Sequence, residues 1–411
     1  MKRLEQMIAG MVLAALCGCA KSAAPAPPPI TDLAGQVAKV DLAGGTYGEA
    51  LPGLSPGDQA RFVAGRDAFI RVETTATGLG PVFNGTFCAS CHDAPPAVGG
   101  TNQRRETRFG RRNADGSFDP LVALGGPLLH DEGIGAVSGF NFAGETVPTQ
   151  ANVVARRRTQ SIFGLGLVDA TPDSSFRAIA RHQAVSSPSA AGRAGLVIDA
   201  GSGQQAVGKF GWKAALPTLL QFSGDAALNE MGITSPQFPR EVCPGGDCSA
   251  LAFNPRPDLN DPGGQDVERF TDFVRFLGPP PAPLLAGDAL RGQELFASVG
   301  CAVCHLPLLV TGPSSNPALD RVAYHPYSEF LLHDMGSLGD GIPQGDALPR
   351  ELRTQPLWGL SAQELLLHDG RTATATEAIA AHDGQGASAR SGFDALDASD
   401  RAALLAFLAA L

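Results

Sequence analysis

The sequence predicts a mainly α-helical protein in which two similar units follow one another, with long loops and a first unit enlarged by insertions. The main observation is a duplication: the pattern Cys-x-x-Cys-His occurs at residues 88–92 and again at 301–305, and similar segments flank both copies. Composition predicts the loops, because 50 Gly and 32 Pro among 411 residues favour many turns between modest helices. At this length we expect two domains, each large enough to bury its own core.

Residues 1–18 have the pattern of a lipoprotein signal peptide. Two basic residues precede an apolar stretch, 7–16, that is too short to span a bilayer as a mature helix. Cys19 follows Gly18, as in the bacterial signal whose cysteine becomes the lipid-bearing first residue. An ordinary secretory signal cut nearby is the alternative. Pro and Ala are frequent in the first part of residues 19–45, which is typical of a solvated tether.

The signal and the charge together limit where the protein acts and what it binds. We expect a periplasm-facing lipoprotein of the bacterial cell envelope, held at the outer membrane through its lipid alone. The net charge is -10 and 18% of the residues are charged, which argues against nucleic acid as a partner.

The repeated pentapeptide is typical of covalent haem attachment. Two thiols three positions apart can bond to both vinyl groups of haem, while the adjacent His binds the iron as its fifth ligand. A redox dithiol or a zinc site is the alternative at each place, but neither explains a His directly after both pairs. We therefore expect two covalently bound haem c groups, and a bound calcium ion is a further candidate cofactor. The expected attachment residues are Cys88, Cys91, His92, Cys301, Cys304 and His305.

Two cysteines outside the signal remain after these assignments, Cys243 and Cys248. No His follows Cys248, so the pair is not a third haem site. In an exported protein we expect the two to form a local disulfide, with two free thiols as the alternative.

Each unit begins and ends with a predicted helix. Segment 287–298, ahead of the second pentapeptide, resembles the first helix of a cytochrome c domain, and 65–69 holds the same place ahead of the first. Apolar-periodic segments at 266–277 and 400–411 close the two units, and a Gly-Pro-Pro-Pro run stops the first of them. The expected fold is two cytochrome c-like haem domains in tandem, residues 46–281 and 282–411.

Further segments give the chain a specific resemblance. They are residues 78–84, 208–215, 229–236, 331–336 and 367–371, together with an Arg-Thr-Gln sequence at 158–160 and again at 353–355. On these segments the chain resembles the bacterial di-haem oxidoreductase family, often described as thiol oxidoreductases, which is similar to di-haem cytochrome c peroxidases. The resemblance covers residues 51–411 and implies two haems and an oxidoreductase activity.

The resemblance also nominates a sixth ligand for the second haem. In similar peroxidases a Met stands fourteen residues after the position of His368, and here that residue is His382. We therefore expect His305 and His382 to bind the second iron, which would lower its potential relative to His/Met ligation. Met335 is the alternative ligand, and an exposed, non-ligating His382 is the third option.

The sixth ligand of the first haem is less clearly marked. The sequence Ala-Ile-Ala at 178–180 repeats at 378–380, so the duplication nominates His182 as the counterpart of His382. A solvated His at a helix end is the alternative for His182, and His130 is a second candidate ligand.

An open first iron would need an acid–base group for peroxide cleavage. Glu230 resembles the catalytic Glu of the peroxidases, with Gln221 as a polar companion, whereas a loop-capping role is the alternative. Trp212 is either an electron relay between the haems or a structural residue.

These features predict an exported di-haem c-type oxidoreductase of the cytochrome c peroxidase type. Electrons would enter at the C-terminal haem from a redox partner such as a small cytochrome or cupredoxin, and peroxide or substrate chemistry would occur at the N-terminal haem. Hydrogen peroxide is the candidate substrate. The alternatives are a non-catalytic di-haem electron carrier and a lipid-anchored surface protein for iron or partner-protein redox handling.

Overall fold

A computed structural model describes residues 46–93, 96–256 and 260–411 of the chain. The predicted signal peptide, the tether and the lipidation site Cys19 lie outside the described residues. The helices are α1 Pro56–Ile70, α2 Ala89–His92, α3 Leu165–Asp169, α4 Asp173–Ser186, α5 Leu219–Met231, α6 Gln265–Phe276, α7 Asp288–Ser298, α8 Ala375–Ala380, α9 Ala387–Asp394 and α10 Ala398–Ala410. The strands are β1 Val82–Phe83, β2 Arg105–Arg112, β3 Phe118–Asp119, β4 Glu132–Gly133, β5 Gly135–Val137, β6 Phe140–Phe142, β7 Val153–Arg158, β8 Leu196–Ile198, β9 Gln205–Val207, β10 Leu309–Val310, β11 Ala323–Tyr324, β12 Leu332–Asp334 and β13 Glu351–Arg353.

The duplication predicted from the sequence appears as two equivalent helix pairs. Helix α1 packs on α6, and α7 packs on α10. A glycine lies at each crossing, because a Cβ on Gly65 would collide with the backbone of α6 and one on Gly292 with the backbone of α10. An aromatic pair follows each glycine by four residues in the first helix: Phe69 lies 4.8 Å from Phe273, and Phe296 lies 5.3 Å from Phe407, between ring centroids. The predicted opening and closing helices are therefore confirmed.

The hydrophobic core is shared between the two units. The largest cluster of buried apolar side chains contains Phe163 and Phe276 from the first unit together with Tyr324 and Trp358 from the second. A smaller cluster around Phe407 belongs wholly to the second unit. The predicted boundary after residue 281 therefore does not separate two independent cores.

The strands pair in small antiparallel sheets, which the sequence did not predict. The largest sheet has the order β3-β2-β7, with Arg105 opposite Arg158 and Gly110 opposite Val153. Strand β2 is rich in charges, and its inward side is stabilised by a hydrogen-bonded ion pair between Arg108 Nε and Glu106 Oε1 at 2.7 Å. Because this pair replaces the usual apolar side chains, the strand has no clear hydrophobic alternation.

Two further observations concern the disulfide predicted in the first unit and the possibility of a membrane-spanning helix. Cys243 and Cys248 form a disulfide, and the turn between them donates from Gly245 N to Glu145 Oε1 at 2.6 Å. No helix within the described ranges is both long and apolar enough to cross a membrane.

Candidate haem sites

The first Cys-x-x-Cys-His segment forms helix α2 and the residue before it. His92 packs near Phe69, with ring centroids 6.0 Å apart, and its Nδ1 lies 3.3 Å from the backbone oxygen of Gly100. Burial lowers the pKa of His92 to about 4, so the ring is neutral at physiological pH. Neutral imidazole is the form that binds metal ions.

The second segment forms a single turn at residues 301–303, followed by His305. The Nδ1 of His305 donates to the backbone oxygen of Tyr327 at 3.0 Å, and burial lowers its pKa to about 3. As at the first site, a backbone acceptor fixes the imidazole and leaves Nε2 as the nitrogen available for iron.

A cavity of about 490 Å³ adjoins the second segment and contains most of the predicted residues of this site. Cys301, Cys304 and His305 line it together with His382 and Met335. The His305 and His382 rings have centroids 6.5 Å apart and planes inclined by 55°. The Nδ1 of His382 donates to the backbone oxygen of Ala378 at 2.8 Å.

These residues fit a haem group. Ligand pockets have volumes of about 300–1,000 Å³ and mostly apolar walls, and the remaining wall here includes Phe296, Leu357, Leu366 and Ile379. Two imidazoles that share one metal ion through bonds of about 2 Å have ring centroids about 6 Å apart. The separation of His305 and His382 matches this value, and both rings have Nδ1 occupied by a carbonyl.

Met335 lies beside His382. A Cβ on Gly386 would be 3.2 Å from the methyl carbon of Met335 and 3.1 Å from Cδ2 of His382, so both side chains approach the same glycine. This packing makes Met335 a wall of the cavity next to the His382 ring.

The cavity also contains a buried pair that the sequence analysis did not identify. His333 Nε2 donates to Glu329 Oε1 at 2.7 Å, and its Nδ1 lies 3.7 Å from the sulfur of Cys304. Thr354 Oγ1 also donates to Glu329 Oε1, at 2.8 Å. The pair therefore fixes the wall beside the attachment cysteine.

Glu230 lies near the first segment, at the C-terminal end of α5. Asn84 Nδ2 donates to Glu230 Oε2 at 3.0 Å, and the backbone N–H of Asn84 donates to the backbone oxygen of Glu230 at 2.9 Å. Burial and the charge of Glu106 together raise the pKa of Glu230 to about 7, although the Asn84 hydrogen bond opposes both. The backbone N–H of Gly85, three residues before Cys88, also donates to the backbone oxygen of Glu230 at 3.0 Å, which places this end of α5 close to the attachment segment.

Gln221 and His182, the other residues proposed for the first site, have different neighbours from Glu230. Gln221 lies at the opposite end of α5, where its side chain accepts from Ala200 N at 2.8 Å, so Asn84 holds Glu230 in its place. His182 is exposed, and its neighbour Gln183 donates to Val303 O at 2.6 Å in the second segment. Within the described residues no hydrogen bond or ring contact joins His182 to His92, so its expected ligation gains no support.

His130 is buried close to Glu230. Its Nδ1 donates to Glu145 Oε2 at 2.9 Å, and the backbone N–H of the next residue, Asp131, donates at 3.0 Å to Asn84, which holds Glu230. The Nε2 of His130 is buried and has no hydrogen-bond partner in the described part of the chain. This nitrogen is available to a ligand or to iron.

The two Arg-Thr-Gln segments meet between the haem sites. Gln160 Nε2 donates to Gln355 Oε1 at 2.6 Å. Gln160 opposes the lowering of the pKa of His92, and Gln355 opposes that of His305. The hydrogen bond between the two glutamines therefore joins the surroundings of the two histidines.

Trp212 is held between the same two segments and lines the second cavity. Its Nε1 donates to Arg158 O at 2.9 Å, and its own backbone oxygen accepts from Arg353 N at 2.8 Å. The residue is therefore both buried and positioned between the repeats.

The calcium expectation gains no support from side chains. Across the three described ranges, no cluster of three or more His, Cys, Asp or Glu residues is arranged to hold a metal ion.

The chain matches known proteins at the level of a family. A family model described as "Di-haem oxidoreductase, putative peroxidase" matches residues 128–411. The match begins after the first attachment segment and includes Glu230 and the whole second cavity. A search of curated proteins gave no match.

Several solved structures are similar over most of the chain. A hydrazine synthase from Kuenenia stuttgartiensis is 14% identical, with 91% of this chain and 98% of that chain covered and a TM-score of 0.38. A MauG-like protein associated with microbial copper homeostasis is 17% identical, with 91% and 94% covered and a TM-score of 0.39. The di-haem peroxidase BthA from Burkholderia thailandensis is 16% identical, with 87% and 86% covered and a TM-score of 0.40. At these TM-scores the similarities carry no argument about function. The family match spans well over half of the sequence, and the chain therefore belongs to the di-haem oxidoreductase family.

Proposed function

We propose that this protein is a di-haem c-type oxidoreductase that reduces hydrogen peroxide at the first haem and receives electrons at the second. The observation that carries the proposal is Glu230, a carboxyl held by Asn84 next to the first attachment segment, with a pKa raised to about 7. A group with a pKa near the working pH can both accept and donate a proton.

The attachment residues in this proposal are the two pentapeptides. Cys88 and Cys91 would bond one haem and His92 would bind its iron, while Cys301, Cys304 and His305 would do the same for the other. When bound, the haems supply the iron that exchanges electrons one at a time. The facing His305 and His382 support two protein ligands on the second iron, which would make that site an electron carrier.

Glu230 would move the protons of the reaction. Reduction of one peroxide molecule consumes two electrons and two protons and yields two water molecules. Ionised Glu230 takes the proton from one peroxide oxygen and returns it to the other, so that the departing oxygen leaves as water. Asn84 keeps the carboxyl in place through its side-chain and backbone hydrogen bonds.

The electron route would follow the repeated segments. The Gln160–Gln355 hydrogen bond and the buried Trp212 provide packed, continuous protein between the two histidines. A small soluble redox protein, such as a cytochrome or a cupredoxin, is the proposed donor to the second haem. Export and attachment through Cys19 would place the reaction in the periplasm, at the outer membrane.

A non-catalytic electron carrier is the second candidate, and one observation favours it. His130 Nε2 is buried near Glu230 and has no hydrogen-bond partner among the described residues, so it could bind the first iron as a sixth ligand. Peroxide would then have no open iron site to bind.

Mixing the reduced protein with hydrogen peroxide separates the two functions. For the peroxidase, rapid mixing should oxidise both haems within one turnover, and Glu230→Gln should slow this step while His130→Ala should not. Peroxide-insensitive spectra in the wild type, with reactivity gained in His130→Ala, would identify the carrier.

A further inference from the structure

Four arginines of the described residues are buried, and they fall into two classes. Arg157 and Arg108 each form an ion pair with a carboxylate at 2.7 Å, through Asp340 and Glu106 respectively. Arg158 and Arg353, which are only 4% and 5% exposed, form no ion pair with any carboxylate in the described part of the chain. Buried charged groups are normally paired, because an isolated charge inside a protein is strongly destabilising.

Both unpaired arginines line the cavity of the second haem site, whereas the two paired ones do not. They occupy the same place in the two Arg-Thr-Gln segments, so each unit contributes one guanidinium to a single cavity. Within the described residues, the buried arginines that lack an ion pair therefore lie only on the wall of this cavity.

The protein partners of these two arginines are all neutral. Arg158 donates to the backbone oxygen of Leu367 at 3.0 Å and to the side-chain oxygen of Gln363. Arg353 donates to the backbone oxygens of Gly211, at 2.7 Å, and Thr354, at 3.0 Å, and to Gln355 Oε1 at 3.2 Å.

Hydrogen-bonding capacity is therefore left over at both residues. A guanidinium has five N–H donors, so Arg158 retains about three and Arg353 about two. Glu329 is the carboxylate whose charge acts on Arg353, but its bonded oxygen is occupied by His333 and Thr354.

The electrostatic state of both side chains agrees with this geometry. Burial alone lowers the pKa of Arg158 to about 10. Burial also lowers the pKa of Arg353 to about 9, despite the opposing charge of Glu329. By contrast, Arg108 keeps a raised pKa in an equally buried position, because Glu106 lies against it. Neither cavity arginine therefore has a carboxylate within ion-pair distance among the described residues.

We propose that Arg158 and Arg353 bind the two propionate groups of the second haem, one guanidinium for each carboxylate. Haem carries two carboxylates, which matches the two buried arginines without an ion pair on the wall of the cavity. Guanidinium and carboxylate form the strongest hydrogen-bonded ion pairs available to a protein, since the planar fork fits both oxygens. Because Arg158 belongs to the first unit, the second haem would hold the two units together. The proposal rests on haem attachment at Cys301 and Cys304 and is independent of peroxide reduction.

The binding proposal predicts the redox behaviour of the second haem. Reduction adds one negative charge, and a buried positive charge nearby favours that state. Arg158→Gln or Arg353→Gln should therefore lower the reduction equilibrium constant of the second haem by about tenfold, which is about 59 mV for one electron. Arg353→Lys, which keeps the positive charge, should retain most of the wild-type reduction potential of the second haem.

The experiment is a spectroelectrochemical titration of the two-haem protein, with Arg350→Gln as the matched control. Arg350 lies three residues before Arg353, but its side chain is 65% exposed and pairs with Asp334, so solvent screens the loss of its charge. A pyridine-haemochrome assay first establishes that each variant carries two haems. A protein that carries a single haem would contradict the proposed haem attachment, but not the propionate assignment. Equal shifts in Arg353→Gln, Arg158→Gln and Arg350→Gln would overturn the propionate assignment.

If the arginine variants do not accumulate, the proposal can be tested on the protein without any substitution. Infrared difference spectra of protein carrying haem with labelled propionates report their protonation directly. Paired with arginine, the propionates should remain ionised down to below about pH 4, the ordinary range of a carboxyl group. A protonated propionate band at pH 6 would overturn the proposal.

Discussion

The rings of His305 and His382 lie with their centroids 6.5 Å apart across the second cavity. Each ring has its Nδ1 held by a backbone oxygen, of Tyr327 at 3.0 Å and of Ala378 at 2.8 Å. Two separate parts of the second unit thus present neutral imidazoles at the spacing that one shared metal ion requires. Met335 packs next to the His382 ring.

The first prediction concerns ligation at the second haem. His382→Gly should give a high-spin, ligand-accessible iron, because the sixth ligand is removed. His382→Met should raise the potential of this haem by on the order of 100 mV, since a thioether ligand favours reduced iron. Low-temperature EPR and redox titration measure the two effects.

Met335→Leu is the control for this ligation. It keeps the volume of the side chain, removes the sulfur and should leave the low-spin signal unchanged. If Met335→Leu abolishes that signal while His382→Gly preserves it, Met335 is the ligand.

The second prediction is the haem content. Protein matured with a c-type assembly apparatus should carry two haems that survive acid-acetone extraction and give a thioether-type pyridine-haemochrome spectrum. Cys88→Ala and Cys301→Ala should each weaken attachment at one site and leave the other intact. Extractable haem in the wild type would contradict covalent binding at both pentapeptides.

The third prediction concerns peroxide chemistry. Glu230→Gln should lower the rate of reaction with peroxide by about 10²–10⁴-fold, the usual contribution of a positioned acid–base group. Glu241→Gln is the matched control, because burial also raises the pKa of Glu241 to about 7 but its side chain accepts from Asn260 and not from Asn84. Stopped-flow absorbance gives both rates. Similar losses in the two variants would point to a general effect of removing a buried carboxyl.

The fourth prediction is a pH-dependent effect of Glu230 on stability. Its pKa is about 7 in the folded chain and near the ordinary glutamate value of 4.5 when unfolded, so the folded state binds more protons between these values. Wild-type stability should therefore decrease as pH rises through about 4.5–7, and Glu230→Gln removes this loss. The advantage of Glu230→Gln over wild type should grow by about 1–3 kcal/mol from pH 4.5 to 8. Urea unfolding at several pH values measures it, and a constant difference would refute the raised pKa.

The fifth prediction concerns the N-terminus, which lies outside the described residues. Cys19→Ser should release the protein into the soluble periplasmic fraction, because the acyl chains supply the free energy of anchoring. Fractionation after lysis, with metabolic lipid labelling, distinguishes the variant from the wild type. A wild type that is already soluble and unlabelled would exclude the lipoprotein assignment.

The sequence was most informative where chemistry depends on local spacing. A Cys-x-x-Cys-His segment places two thiols and an imidazole on one turn, so it can be recognised without knowledge of the fold. The opening and closing helices were predictable for a similar reason, because their apolar residues recur with the helical period. The resemblance to peroxidases then nominated His382, and the family match from residue 128 to 411 agrees with that resemblance.

The sequence was least informative about strand β2, His182 and Gln221, whose surroundings depend on the tertiary structure. Strand β2 escaped prediction because its buried side chains are an ion pair, which gives no hydrophobic alternation. The repeat nominated His182, but a shared motif does not ensure a shared position: α4 lies against the second attachment turn and leaves His182 exposed. Gln221 does not contact Glu230, because the two residues are nine positions apart along helix α5.

By itself, the sequence determined the two Cys-x-x-Cys-His segments, the repeated helices and the family, since these depend on residue types at fixed short spacings. Only the tertiary structure decided that Asn84 holds Glu230, that His382 lies 6.5 Å from His305, and that Arg158 and Arg353 share a cavity without a carboxylate partner. Those relationships join positions up to about 200 residues apart. They depend on how the helix pairs and the shared core bring the two units together, which no local pattern specifies.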